Sequence, residues 1–149
     1  MGYIYYYGFD TDIDYEKAYK YFSMAALQGS IEATYKTGDM FRYGYYVEKS
    51  PAVAYVLYNK AFEMSKEDDD CLCTGNIMKR MGDLFYEGIG CSKDPRMAML
   101  YYQYAEMQFY RQIYAGDPYV QKDLDYVVKM QGKLRKQIVK NLPPMEWRS

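Results

Sequence analysis

Few residues in this chain have the chemistry of nucleophiles, proton carriers or metal ligands. There is no histidine, and the three cysteines are Cys71, Cys73 and Cys91. The commonest general base near neutral pH is therefore missing, and a mixed Cys/His zinc site has no ligands. Cys71 and Cys73 stand one residue apart, too close for the CxxC redox motif, and an odd count does not suit a disulfide framework, so reduced thiols are expected. The carboxylate run Glu67-Asp68-Asp69-Asp70 lacks the alternating ligands and turn glycine of a calcium loop and reads as a solvated loop. Neither a Gly-rich phosphate loop nor a nucleophile elbow is present. The sequence thus assigns no catalytic residue, no metal site and no cofactor, and predicts a protein that is not an enzyme.

What remains is recognition chemistry. Tyrosine supplies 21 of the 149 residues, giving flat apolar area with a polar tip that suits both helix packing and binding surfaces. The formal net charge of −1 argues against nucleic acid or anionic lipid as a partner. The charge is unevenly spread: residues 1–70 hold 12 acidic and 7 basic side chains, and residues 71–149 hold 8 and 12. No run of about eighteen apolar residues and no basic-then-apolar leader is seen, so the expectation is a cytoplasmic protein without a membrane partner.

The elements that must position these side chains are set by an internal repeat. Gly8, Gly44 and Gly88 share their offsets of 36 and then 44 residues with Ala18, Ala54 and Ala98 and with Ala25, Ala61 and Ala105. A period in this range marks a solenoid of helical hairpins, each burying its apolar face against its neighbours. Six residues after each glycine come Asp14, Ser50 and Asp94, which are N-cap residue types, and then Tyr15, Pro51 and Pro95. Proline is favoured at the first helical position, so a second helix, B, starts there. Its alanines, seven apart, share one face and permit close approach among Tyr21, Phe22, Leu57, Tyr58, Tyr101 and Tyr102. The first helix, A, is predicted over Ile31 to Tyr43 and Asn76 to Glu87, with Gly38 and Gly82 inside it for close packing and Gly44 and Gly88 closing it.

This pattern resembles the SEL-one-like repeat (SLR) family, relatives of the tetratricopeptide repeats. Ala33, Gly38, Phe41 and Gly44 match the first half of the family pattern, and Lys17, Ala18, Tyr21, Phe22, Ala25, Ala26 and Gly29 the second. Unit three matches through Gly82, Phe85, Gly88, Gly90, Asp94, Ala98, Tyr101, Tyr102 and Ala105. Thr37 and Met81 depart from it, and Ser65 and Phe109 replace the glycine that ends helix B, so the last unit is expected to run on to Ala115. The resemblance implies an all-α fold, a right-handed α/α solenoid of helix-turn-helix repeats with a C-terminal capping helix. Units are expected at about 1–33, 34–76 and 77–116, a capping helix at 117–142 and a tail at 143–149. Unit one begins inside helix A, which reads as a fragment of a longer array, an open end that binds another copy, or a native start.

The capping helix rests on Val120, Leu124, Val127, Gln131, Leu134, Ile138 and Leu142 at spacings of four and three, with Lys122, Lys129, Lys133, Lys136 and Lys140 largely off that seam. A coiled-coil dimer arm and an acidic-partner site are the other readings. Trp147 is either docked or a contact for a partner.

The resemblance implies a protein–protein interaction scaffold. If helix A lines the concave face, the outward positions stack as Tyr3/Asp39/Asp83, Tyr6/Arg42/Tyr86 and Tyr7/Tyr43/Glu87, a tyrosine, arginine and carboxylate surface able to recognise a peptide or protein partner. The alternative is homo-oligomeric assembly through the open N-terminal unit or the C-terminal helix. A β-lactamase-like hydrolase, associated with cysteine-rich relatives of the repeat, is set aside because this chain lacks paired cysteines in each unit.

Overall fold

The computed structural model describes residues 2–8, 13–68 and 71–144. Met1, Asp69, Asp70 and Trp147, on which parts of the sequence reading rest, lie outside the described residues. Seven α-helices follow in order: α1 (Gly2–Tyr7), α2 (Tyr15–Leu27), α3 (Ile31–Tyr43), α4 (Pro51–Lys66), α5 (Thr74–Glu87), α6 (Pro95–Tyr114) and α7 (Gln121–Lys140), the last entered through a short 3-10 turn at Pro118–Val120. Each helix packs on the next. Helices α1, α3, α5 and α7 form one layer, and α2, α4 and α6 the other, so the fold is an all-α solenoid as expected.

The repeat register appears as repeated hydrogen bonds. Asp14, Ser50 and Asp94 cap α2, α4 and α6, accepting from the backbone N–H groups of Lys17, Val53 and Met97. The caps' own N–H groups donate to the carbonyls of Tyr5, Phe41 and Phe85 at 2.8, 2.8 and 2.9 Å, which ties every helix B start to the preceding helix A. The turn between them begins at Gly44 and Gly88, both left-handed at φ 73° and 72°, a conformation that costs a side chain free energy. Helix α2 stops before Gly29, whereas buried Ser65 and Phe109 at the same register position let α4 and α6 continue. The last of these runs to Tyr114 with Ala115 as its C-cap.

Small residues set the spacing between layers. Ala18, Ala54, Ala61, Ala98 and Ala105 are wholly buried, as are the rings of Tyr58 and Tyr102. A Cβ on Gly38 would lie 2.7 Å from the Tyr58 ring, and one on Gly82 would lie 2.5 Å from that of Tyr102. The two mid-helix glycines are thus seats for the two tyrosines. Ala61 is wholly buried, so Ala61→Leu is expected to cost about 1–3 kcal/mol in a urea melt; an unchanged midpoint would show slack in the packing of α4 against α3 and α5.

Helix α7 lies on α6. Val120, Leu124, Val127, Met130, Gln131 and Leu134 are buried, and the apolar ones share a cluster with Ala98, Tyr102, Ala105 and Phe109. The five lysines of the α7 polar face are exposed. No helix among the described residues is long and apolar enough to cross a membrane. One expectation is corrected: Cys71 and Cys73 are joined as a disulfide, and Cys91 is left free. The turn before α5 brings the two Cα atoms to 5.3 Å, within the span a disulfide bridges.

Candidate functional site

The faces of α3 and α5 carry two equivalent buried carboxylates. Asp39 accepts hydrogen bonds from the Tyr58 hydroxyl and from Arg80 Nε and Nη2, the last two at 2.8 and 2.7 Å. Asp83 accepts from the hydroxyls of Tyr102 and Tyr126 and from Arg42 Nη1 at 3.1 Å. The Asp39–Tyr58 and Asp83–Tyr102 pairs occupy the same places in successive repeats. The arginines link one repeat to the next: Arg80 of α5 reaches back to α3, and Arg42 of α3 reaches forward to α5. Arg42 Nη2 also donates to Glu87 at 2.8 Å, and Lys79 donates to Asp123 of α7 at 2.8 Å. Arg80 stacks over Tyr35 and Arg42 over Tyr43.

Burial acts strongly on Asp39 and on the tyrosine that donates to it. By itself it would raise the Asp39 carboxyl, but the charge of Arg80 and the hydrogen bonds from Arg80 and Tyr58 outweigh it and hold the group below its ordinary range. Burial and the Asp39 charge together push the Tyr58 hydroxyl up. Asp39 is therefore an anion whose acceptor capacity is spent on neighbouring helices.

Unit one departs from this plan. Tyr3 and Phe22 hold the register positions of Asp39 and Tyr58 and pack edge to face at 5.4 Å. Lys36 holds the position of Arg80. With no carboxylate to meet, its ammonium lies 5.3, 4.9 and 4.7 Å from the ring centres of Tyr3, Tyr6 and Tyr7 and donates to the Tyr7 hydroxyl. Aromatic faces and one hydroxyl replace an ion pair here. Burial lowers the Lys36 ammonium to about 8, with Asp39 acting against it.

That shift has a definite sign. An unfolded lysine keeps its proton to about 10.4, so between pH 8 and 10 the unfolded chain binds more protons than the folded one. Stability of the natural protein should then rise with pH relative to Lys36→Met, by at most about 1.4 kcal/mol per pH unit. Urea titrations of both proteins across that window check this, and a flat or falling difference would contradict it.

Among the residues singled out by sequence, the structure brings Arg42, Tyr43, Asp83 and Glu87 into one cleft, together with Lys49, Lys79, Ile89 and Tyr126. Its volume is about 600 Å³, within the range of ligand pockets. Tyr43 and Glu87 are exposed there, whereas the Arg42 side chain is only 9 % accessible. Tyr3, Tyr6 and Tyr7 lie apart, around Lys36. Asp39 and Asp83, which the repeat register set outward, are buried at 4 and 3 % exposure. Tyr86 is half-buried and packs against the α6–α7 core. Sequence reasoning missed Lys36, Tyr58, Lys79, Arg80, Tyr102 and Tyr126. The signal available for two of them was the tyrosine that recurs 19 residues after each of Asp39 and Asp83.

Comparison with known proteins places this geometry. The family model described as the Sel1 repeat matches residues 1–30, 31–66 and 78–108. An uncharacterised Sel1-like repeat-containing protein of Schizosaccharomyces pombe is 44 % identical over 48 residues, 32 % of this chain and 7 % of that protein. In fold the chain is similar to the Sel1 repeat protein of Oxalobacter formigenes, with a TM-score of 0.60 and 24 % identity, covering 89 % of this chain and 55 % of that one. It is also similar to a protective antigen of uropathogenic Escherichia coli strains that displays an SLR fold, with a TM-score of 0.58 and 17 % identity, covering 99 % and 33 %. This chain therefore spans only a part of the length of each of these three proteins. Three matched repeats cover more than half of it, all three start helix B with the same side-chain cap, and the second and third hold the buried carboxylate–tyrosine pairs: the chain belongs to the Sel1 repeat family.

Proposed function

We propose that this protein is a non-catalytic scaffold that takes an extended peptide or a protein loop on the helix A face, at the cleft between α3, α5 and α7. Sel1 repeat proteins generally serve protein–protein interaction, and the cleft supports placing the contact here. The observation that carries the reading is the exposed pair Tyr43 and Glu87 flanking Lys49 and Lys79 in a concave space of about 600 Å³. A rigid aromatic ring between charges of both signs offers stacking to a partner side chain and charge-assisted hydrogen bonds to its backbone or termini.

The ladder beneath contributes shape and not contact. Asp39, Asp83, Arg42 and Arg80 are engaged with one another and with tyrosines, so they hold the repeats at fixed spacing while the rim residues meet the partner. Tyr43→Ala with Lys49→Ala removes two rim side chains and leaves every ion pair of the ladder in place, taking from Arg42 only the ring it stacks on. Partner capture by immobilised protein is expected to fall at least tenfold with this pair, while helical circular dichroism and the melting midpoint stay as they were. Capture at the natural level by the double variant would sink the placement.

A further inference from the structure

We propose that the Cys71–Cys73 disulfide is a thiol–disulfide exchange site for a small peptide thiol, one that carries a carboxylate and an amide N–H near its sulfur. This goes beyond the concave-face reading and is independent of it, because the cysteines lie at the opposite end of the A helices from the Tyr43 cleft.

The disulfide is poorly suited to be a staple. It closes a ring across one residue, and a cross-link stabilises little when the loop it closes is that short. The local chain is held without it: Cys71 N–H donates to the Asp68 carbonyl, the Thr74 hydroxyl to the Cys71 carbonyl, and Ile77 N–H to the Cys73 carbonyl. Nor is it shielded. Both cysteines are partly exposed, and Leu72 between them is 79 % exposed. Accessible disulfides are the ones that exchange.

Beside it the fold leaves a cavity of about 310 Å³, lined by Cys71, Leu72, Gly75, Gln108, Arg111 and Gln112. Two groups in its wall point to the ligand. The guanidinium of Arg111 supplies a cation for a carboxylate and draws a thiolate toward Cys71. Gln112 lines both this cavity and the one beyond it, and its Oε1 is buried with no hydrogen-bond partner among the described residues, an acceptor that an amide N–H would satisfy. The cavity on the other side, against Cys73, contains Glu32 and Asp117, which repel an approaching anion. Attack is therefore directed to Cys71 Sγ. Cys73 sits at the N-cap of α5 and makes no side-chain cap hydrogen bond, so as a leaving thiolate it meets the positive end of the helix dipole.

The exchange balances as follows. An external thiolate bonds to Cys71 Sγ, the Cys71–Cys73 bond breaks, and Cys73 leaves with the electron pair. A second external thiolate then attacks the external sulfur of the mixed disulfide and releases Cys71 as a thiolate. Two external thiols are oxidised to one disulfide, the protein pair takes up the two electrons, and the two thiol protons end on the cysteines or in solvent.

Reduced glutathione is the probe, with 2-mercaptoethanol as a thiol that has neither carboxylate nor amide. In the folded protein, glutathione is expected to reduce the pair with helical circular dichroism unchanged. Arg111→Ala should slow glutathione about tenfold relative to 2-mercaptoethanol. With oxidised glutathione supplied as the disulfide, Cys73→Ser should accumulate a glutathione adduct at Cys71, releasing one reduced glutathione and read by mass spectrometry, faster than Cys71→Ser does at Cys73. Three results would overturn the proposal: a pair that resists glutathione until the protein is denatured, a loss of helicity on reduction, or equal effects of Arg111→Ala on the two thiols.

Discussion

Asp39→Ala is expected to lower the unfolding free energy by about 3–5 kcal/mol, the cost of removing one partner from a buried ion pair. The residue is the hub where α3, α4 and α5 meet. Its loss strands Arg80, whose guanidinium is buried over Tyr35 and pairs with no other carboxylate among the described residues, and it also leaves the Tyr58 hydroxyl without its acceptor. Removing both charges is a different experiment. In Asp39→Leu with Arg80→Met no charge is left uncompensated, so the double variant should recover most of the loss. Urea denaturation followed by circular dichroism at 222 nm reads all three proteins. A mild Asp39→Ala, or a double variant as unstable as the single, would show that the ladder does not hold the repeats together.

Gly82→Ala should be the next most damaging change, although alanine is the better helix former by about 1 kcal/mol. Its Cβ would stand 2.5, 2.6 and 2.9 Å from three atoms of the Tyr102 ring. The ring has nowhere to go, because it is wholly buried and its hydroxyl is committed to Asp83. Either the helices part or the hydrogen bond breaks, for a net loss of about 2–3 kcal/mol. Gly132 in α7 is the control. Nothing lies within 4 Å of a Cβ there, so Gly132→Ala should stabilise by up to about 1 kcal/mol. The two substitutions are chemically identical, and their opposite signs in thermal melts would separate packing from propensity.

Much of this architecture was legible in the sequence because repetition supplies three readings of each position. Asp14, Ser50 and Asp94 were identifiable as caps from residue type and register, and the proline after two of them fixed the helix start. Gly38 and Gly82 were identifiable as close contacts because glycine inside a helical pattern has a cost that packing must offset. The α7 seam was legible from its spacing, although spacing alone did not say whether it faces α6 or another chain. The site was less legible, for a physical reason. Helical periodicity says which residues share a face, and not how far a long side chain reaches. Asp39 and Asp83 lie on the A-helix face, yet they are covered by arginines from the adjacent repeat and tyrosines from helix B. Tyr3 stands in the register of Asp39 and Asp83 in the sequence itself, but that Lys36 takes the place of Arg80 beside it was visible only once the structure paired those positions. The disulfide was missed because the CxxC rule says nothing about a turn that brings sulfurs one residue apart together.

The ladder and the cleft have complementary roles. Buried charges satisfied within the fold link adjacent A helices, and on the proposed reading the rim residues above them are the ones that meet a partner. A photo-crosslinking residue placed at Tyr43, and in a second protein at Val56 on the exposed side of α4, tests this most directly. With a captured partner present, illumination is expected to give a covalent adduct from position 43 and none from position 56. Adducts from position 56 alone would place the partner on the helix B face and contradict the account.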